Sequence, residues 1–246
     1  MTALRIKLIR ELRRLWAQVL AIALVMAAGV ATLVIGVGTY DSLAVTRAHF
    51  YESNRFADLF ATVTRAPRSL LPSIAEISGV LAVDARIANI AIAKIDGMTE
   101  PASALLISLP ETGDDGLNRL YLRSGRLPEA GSRAEAVVSE MFAMAHHLVQ
   151  GSNFSVLVNG ALREVAVTGI ALSPEYIYAL SPGEILPDEN RFGIVWMPEQ
   201  ELAAAYGLEG AFSSVSVKLL PGVSKAAVIA SLDRLLAPYG GQGAYY

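Results

Sequence analysis

One uncharged stretch dominates the pattern of hydrophobic and polar residues in this chain. No charged residue occurs between positions 15 and 40. A helix rises about 1.5 Å per residue, so this stretch would be roughly 39 Å long, whereas the hydrocarbon core of a bilayer is about 30 Å thick. The pattern therefore predicts a transmembrane helix at residues 15–40.

The charges on either side of the stretch predict its orientation. Glu11 is the only acidic residue before it, and Asp41 is the first charged residue after it; the preceding basic residues are Arg5, Lys7, Arg10, Arg13 and Arg14. Cytoplasmic flanks of transmembrane helices are enriched in Lys and Arg. We therefore expect a membrane protein with a cytoplasmic N-terminus and with everything after Tyr40 on the outer side of the membrane.

Residues 1–14 have a helical periodicity of their own. Most basic residues fall on one side and apolar residues on the other, the apolar positions being Leu4, Leu8, Leu12, Leu15 and Trp16. Such a basic amphipathic segment suits a helix lying on the inner leaflet, where its cations meet anionic membrane lipid. A plain basic flank that only sets the topology is the alternative interpretation.

A cleaved signal peptide is the competing interpretation of the same N-terminal region. Signal-peptide apolar cores are only about 7 to 15 residues long and end at a small-x-small cleavage site. Here the apolar core is longer, and Gly36-Val37-Gly38 is a weak match to such a site. Retention as a membrane anchor is therefore favoured.

Beyond the apolar stretch we predict a stalk and then a domain built from two bracketing segments. Residues 41–56 contain no Pro or Gly, which predicts that the helix continues outward. Residues 57–97 contain an alternating strand, a helix that ends at Gly79 and a long strand region, and residues 207–246 repeat the strand and the helix. Two such units predict a split βαβ part with both helices on one face of a sheet.

Residues 98–206, between these segments, are richer in strand signals. The strongest is a hairpin in which residues 154–158 and 162–170 are joined by Asn159-Gly160, a pair that tolerates the positive φ angles of a type I′ turn. Residues 57–246 would then form one periplasmic core domain. The fold class we predict is α+β: an N-terminal transmembrane helix followed by an extracytoplasmic split βαβ domain with a β-rich insertion.

Composition removes several classes of function. The net charge is −3 although the N-terminus is basic, so the outer part is more acidic still, which argues against nucleic acid as a partner. The absence of cysteine excludes disulfides and thiolate metal sites. No Gly-rich loop ending in Gly-Lys-Ser or Gly-Lys-Thr is present to bind nucleotide phosphates. We expect no ATP hydrolysis by that route and no bound cofactor.

Two places offer side chains for catalysis or metal binding, and neither has the required spacing. Adjacent His146 and His147 would point about 100° apart on a helix, unlike an i, i+4 pair that chelates one ion. Ser139 and Glu140 lie near these histidines, but there is no Gly-x-Ser-x-Gly motif. We predict no catalytic, cofactor-binding or metal-binding residue, and hence that the chain is not an enzyme.

Other residues are candidates for contact with a partner. An acidic loop either binds a cation or partner or is simply solvated; it contains Glu184, Asp188, Glu189 and Arg191. Tyr176 and Tyr178 either form a recognition surface or pack beneath this loop. Small residues in the apolar stretch offer surfaces for neighbouring membrane helices; they are Ala28, Gly29, Thr32, Gly36 and Thr39.

The order of these parts resembles the permease subunits of ABC transporters of the FtsX-like and macrolide-exporter (MacB-like) type. The resemblance covers nearly the whole chain and rests on the order of several loose motifs: Ile77-Ser78-Gly79-Val80, Gly125-Arg126-Leu127-Pro128, Ala136-Val137-Val138-Ser139-Glu140, the strand and turn at 151–160, and Gly169-Ile170 leading into Ser173-Pro174-Glu175-Tyr176. Such permeases continue into at least three further membrane helices. We therefore expect this chain to be the N-terminal portion of a larger permease, or a gene fragment.

The resemblance implies a part in transport across the bacterial plasma (inner) membrane, with the main domain periplasmic or extracellular. A separate ABC ATPase subunit would drive the movements, the stalk would transmit them, and the outer domain would handle cargo or a periplasmic adaptor protein. Further permease spans or a second permease copy would complete the path. Members of the family export macrolides and peptides, extract lipoproteins or regulate cell-wall hydrolases. The alternative is a single-pass membrane-anchored extracytoplasmic sensor or interaction module.

Overall fold

Helix α2 (Trp16–Ser53) runs through the uncharged stretch and into the predicted stalk without a break, and helix α1 (Thr2–Arg14) precedes it. In the computed structural model, which describes residues 2–98, 100–110, 116–181 and 183–246, α2 is the one helix with the length and apolarity to cross a membrane. The predicted apolar side of α1 rests on Leu4, Leu8 and Leu12, whose side chains lie outside the described residues.

The chain divides into two units, Met1–Phe50 and Tyr51–Tyr246, and the second contains both β-sheets. Its strands are β1 (Leu59–Pro67), β2 (Val80–Arg86), β3 (Ala88–Lys94), β4 (Ala102–Leu109), β5 (Tyr121–Gly125), β6 (Glu135–Ser139), β7 (Asn153–Val158), β8 (Ala161–Leu172), β9 (Phe192–Pro198) and β10 (Ala211–Leu219). Its helices are α3 (Leu71–Ala75), α4 (Glu140–Ala145), α5 (Glu199–Tyr206) and α6 (Lys225–Leu236).

The smaller sheet has the strand order β1-β10-β2, with β10 antiparallel to both neighbours. Strands β1 and β2 are therefore parallel, are connected through α3 and enclose the strand that comes last in the chain, which is a split βαβ arrangement. Helices α3 and α6 cover the same face, where Ile74, Val228 and Leu232 are buried in one apolar core. The predicted fold class is confirmed, including the position of both helices on one face.

The larger sheet closes on itself. Its strand order is β5-β8-β6-β9-β4-β3-β7, and β7 pairs again with β8. The Ala166 N–H donates to Ala134, next to β6, whereas the Val167 N–H donates to Ser152, next to β7. Neighbouring amides of a strand point to opposite edges, so β6 and β7 flank β8. The strands β3, β4, β9, β6, β8 and β7 therefore form a closed barrel.

The barrel includes one strand that we expected in the split βαβ part. The long strand region at 80–95 divides at Ile87 into β2 and β3, and β3 pairs with β4 and β7. Two hydroxyl groups fix this crossing: Ser108 accepts the Ile87 N–H at 2.8 Å, and Ser213 accepts the Ala88 N–H at 2.8 Å. Ile87 is fully buried and apolar, so the change of sheet leaves no break in the sequence pattern.

The structure explains why two short sequence motifs occur where they do. Asn159 (φ 47°) and Gly160 (φ 81°) join β7 to β8, which confirms the predicted hairpin. Gly125 has a φ of 79°, and a Cβ there would lie 2.2 Å from the Thr168 carbonyl oxygen, so only glycine permits this contact between β5 and β8. The next residue, Arg126, forms a hydrogen-bonded ion pair with Glu135 at 2.7 Å.

Candidate functional site

Alternation along β2 places Asp84 and Arg86 on the face of the smaller sheet opposite helices α3 and α6. Ala85, between them, packs with the helices, and successive strand residues point to opposite faces. The register sets Ser216 of β10 beside Asp84, and Phe60 of β1 beside Ser216. A row of polar and aromatic residues therefore crosses this face.

Asp84 and Arg86 form a buried ion pair. Arg86 Nη2 lies 2.9 Å from Asp84 Oδ2, and the two side chains are only 9% and 14% exposed. Arg86 also donates to the Leu117 carbonyl oxygen, and the Leu117 N–H donates to Asp84 at 3.2 Å. The ion pair thereby holds residues 116–119 against β2.

Asn118 joins three other segments through one side chain. It is fully buried, and its side-chain oxygen accepts the Ala57 N–H at 2.8 Å. Its amide donates to Glu175 at 2.8 Å and to Ser216 at 3.3 Å. The segment leading into β1, the loop after β8 and strand β10 are thus linked at one point. Its φ of 52° lies in the left-handed region, which Asn adopts more readily than most residues.

Glu175 brings a second carboxylate to this group. The Tyr176 hydroxyl donates to Glu175 Oε1 at 2.7 Å. Burial raises the pKa of Glu175, against the opposing effects of the Arg86 charge and of the hydrogen bonds from Tyr176 and Asn118, while Asp84 raises it further. Burial and the adjacent carboxylate also raise the pKa of Tyr176 well above its ordinary value. The group is therefore a desolvated network of charges and hydrogen bonds.

Helix α2 ends in a Schellman motif. The Phe56 N–H donates to the Tyr51 carbonyl at 2.9 Å, and the Arg55 N–H donates to the Glu52 carbonyl at 3.1 Å. Arg55 has a φ of 49°, the left-handed conformation that this motif requires. The rings of Tyr51 and Phe56 stack with centroids 4.7 Å apart, which is the apolar contact that accompanies the motif.

The segment after α2 is bonded to the network and to β10. The Asn118 N–H donates to the Arg55 carbonyl at 3.2 Å, and the Arg119 N–H donates to the Asn54 carbonyl at 2.9 Å. Lys218 Nζ donates to the Phe56 carbonyl at 2.7 Å. We call the whole assembly the junction: residues 51–57 and 116–119 together with the side chains of Asp84, Arg86, Glu175, Tyr176 and Ser216.

Solved structures similar to this chain belong to ABC-type transporters and permeases. One is the extracellular domain of the ABC-type transporter YknZ from Gram-positive bacteria, at 16% identity over 76% of this chain and 98% of that chain, with a TM-score of 0.49. Another is the periplasmic region of MacB from Actinobacillus actinomycetemcomitans, at 14% identity over 76% of this chain and 87% of that chain, with a TM-score of 0.46. A third is a permease-protein domain from Porphyromonas gingivalis, at 15% identity over 76% and 84% of the two chains, with a TM-score of 0.41.

No protein-family model matches this sequence, and no curated protein matches it significantly. The similar structures are of the class that the sequence resemblance names.

His146 and His147 directly follow helix α4. His146 Nε2 lies 3.1 Å from the Asn190 carbonyl oxygen, its ring meets the Phe142 ring edge-on at 4.6 Å, and burial lowers its pKa. His147 has a left-handed φ of 54°. Within the described ranges, no three His, Asp or Glu side chains are arranged to hold a metal ion.

The other candidates are separated from one another. Ser139 Oγ accepts the Ile194 N–H at 3.2 Å, while Glu140 pairs with Arg123 at 3.0 Å, so they do not form a nucleophile and base. In the acidic loop, Arg191 pairs with Glu100. Of the two tyrosines, Tyr176 is half-buried in the junction and Tyr178 is 76% exposed.

Sequence reasoning did not find the junction. Asp84 and Arg86, opposite charges two residues apart in an apolar strand, were the available signal, because they must share a face. Glu175 lies in a motif that carries the family resemblance, but nothing in the sequence shows that it meets Asn118.

The raised pKa of Glu175 predicts a pH dependence opposite to ordinary acid denaturation. A carboxyl group whose pKa is raised by folding contributes its full stabilisation of the folded state at pH values below its unfolded pKa, here 4.5. That contribution is lost as the pH rises through the pKa of the folded state. Glu175→Gln keeps the shape and removes the charge. We expect the unfolding free energy of the wild type, relative to this variant, to fall as the pH rises above 4.5.

The measurement is chemical denaturation of the full chain in neutral detergent, followed through the buried Trp196 in a Trp16→Phe background. Glu209→Gln, at an exposed position, is the control. Its unfolding free energy, plotted against pH, should run parallel to that of the wild type. A parallel curve for Glu175→Gln as well would contradict the prediction.

Proposed function

We propose that this chain is the N-terminal portion of an ABC transporter permease subunit in the bacterial plasma membrane. Residues 15–40 span the bilayer, residues 1–14 lie on its cytoplasmic face, and residues 57–246 form the extracytoplasmic domain. A separate ABC ATPase subunit supplies energy, and the junction passes movement of the helix to both sheets. The chain itself is not an enzyme.

The continuity of α2 with the junction is the observation that supports this proposal. A flexible linker after the membrane helix would take up any movement of that helix. Here the residues after Ser53 are fixed by a Schellman motif, by Asn118 and by Lys218. Buried hydrogen-bonded networks hold the groups that they join in place. Displacement of the helix end therefore displaces both the smaller sheet and the loop after β8.

The path for cargo requires further parts. One membrane helix satisfies its own backbone hydrogen bonds but encloses no passage, so further permease spans or a second permease copy are needed. A periplasmic adaptor protein is a further partner in this proposal. Exported or extracted cargo would be handled by the extracytoplasmic domain.

Affinity purification of the full-length protein from its native host tests the function. We expect an ABC ATPase subunit to copurify, and we expect ATP hydrolysis by the complex to depend on that subunit. Hydrolysis by the purified chain alone, abolished by a substitution within the chain, would overturn the proposal.

Labelling of single cysteines provides the topology control, because the chain has no native cysteine. In intact cells, Glu209→Cys should react with a membrane-impermeant maleimide, and Lys7→Cys should react only after the membrane is permeabilised. The reverse pattern contradicts the orientation. Correct labelling without any recovered ATPase would favour a single-pass sensor or interaction module.

A further inference from the structure

The segment between β8 and β9, of which the structure describes residues 173–181 and 183–191, is fixed near both ends. Near its start, Glu175 and Tyr176 belong to the junction. Near its end, Asp188 Oδ1 accepts the Asn190 N–H at 3.1 Å, and His146 contacts the Asn190 carbonyl. Loops longer than about 15 residues without secondary structure are uncommon in compact domains and usually have a function.

Between these fixed ends the loop exposes large apolar side chains. Ile185 is 92% exposed and Leu186 is 74% exposed. Helix α4 extends this surface through Met141, which lines the same shallow depression as Ile177 and Tyr178. We call the set the apolar loop surface; it comprises Met141, Ile177, Tyr178, Leu180, Ile185 and Leu186, all exposed. Apolar surface of this kind marks contact with a protein or a membrane.

The surrounding charges select among these partners. Glu184 precedes Ile185, and Asp188 and Glu189 follow Leu186. The basic residues beside them are already paired, Arg191 with Glu100 and Arg123 with Glu140. The surroundings are therefore negative. An anionic bilayer would be repelled, and a twofold contact with a second copy would set the same carboxylates against each other.

We propose that the apolar loop surface is a docking site for a different protein that presents apolar side chains flanked by lysine or arginine. The same loop supplies Glu175 and Tyr176 to the junction, so the partner would bind next to residues that hold the end of α2. This site rests on the proposed function, because it gives a place and a chemistry to the partner protein included there, but its test does not depend on an ATPase.

The test uses the full chain in neutral detergent and two fluorescent synthetic helical peptides. Both peptides carry leucine on one face; one has lysine and the other glutamate on its flanks. We expect the lysine peptide to bind and Ile185→Ser with Leu186→Ser to weaken it about tenfold or more, since two anchoring side chains are lost. Leu162→Ser, a change of another exposed leucine on β8, is the matched control and should leave the affinity unchanged.

Charge reversal separates docking from unspecific adhesion. Glu184→Lys with Glu189→Lys should weaken the lysine peptide and strengthen the glutamate peptide. Unchanged Trp196 fluorescence verifies that each variant is folded. Equal binding of both peptides, an equal loss in Leu162→Ser, or no binding of the lysine peptide would overturn the proposal. Binding to anionic vesicles that is lost in the Ile185→Ser, Leu186→Ser variant would overturn it in favour of a membrane contact.

Discussion

Arg86→Ala is expected to lower the free energy of unfolding by about 3 to 5 kcal/mol at neutral pH, the loss typical of a buried ion pair that keeps only one partner. The guanidinium attracts both Asp84 and Glu175. Without it, two carboxylates face each other on a desolvated surface, and the Leu117 carbonyl loses its donor. Urea denaturation of the full chain in detergent, followed through Trp196, measures the change.

Arg123→Ala is the matched control. It removes a guanidinium from an ion pair of similar length, 3.0 Å to Glu140, but the Arg123 side chain is 48% exposed. Exposed pairs contribute at most about 1 kcal/mol. Acidification should also reduce the effect of Arg86→Ala, because a protonated Glu175 no longer needs a cation. Equal losses in the two variants would show that the buried ion pair does not hold the junction together.

Features that depend on local chemistry could be predicted from the sequence. The hairpin at Asn159-Gly160 follows from backbone angles that few other residue pairs accept. The split βαβ part follows from two strand-helix units with inward apolar stripes, including Val228, Leu232 and Leu236 on α6. The long apolar helix α2 follows from the length of the uncharged stretch. Each of these signals lies within a short segment of the chain.

Features that depend on pairing between distant segments could not be predicted. Closure of the barrel requires parallel pairing of β6 with β8 and of β4 with β9, and no local pattern specifies either. The change of sheet at Ile87 is set by Ser108 and Ser213, which come later in the chain. In the sequence these two serines cannot be told apart from other serines in strands, and only the fold places them at the crossing.

The junction illustrates the same limit at the candidate site. Asn118 follows Glu111, Asp114 and Asp115 in the sequence, and nothing in the residues around it marks it as buried, yet it contacts Ala57, Glu175 and Ser216. Its role exists only because four segments meet. Ile185 and Leu186 stand among polar residues in the sequence, but only the structure shows that nothing in the described chain covers them.

Leu232→Ala is the second change with a large expected effect, a loss of about 2 to 5 kcal/mol in the free energy of unfolding. Leu232 is fully buried where α6 packs on the smaller sheet. Truncation removes apolar contacts and leaves a cavity. The sheet can move little to fill it, because β10 is hydrogen-bonded to a neighbouring strand on each side. Denaturation of the full chain, as for Arg86→Ala, gives the measurement.

The consequence of this change should reach beyond the helix, because β10 lies between β1 and β2 and carries Ser216 and Lys218 to the junction. Leu81→Ala, an exposed leucine of β2, is the control and should change the stability by no more than about 0.5 kcal/mol. If Leu232→Ala also lowers the free energy of unfolding by less than about 0.5 kcal/mol, packing of α6 does not stabilise the sheet. The smaller sheet would then have to owe its stability to the barrel and the junction.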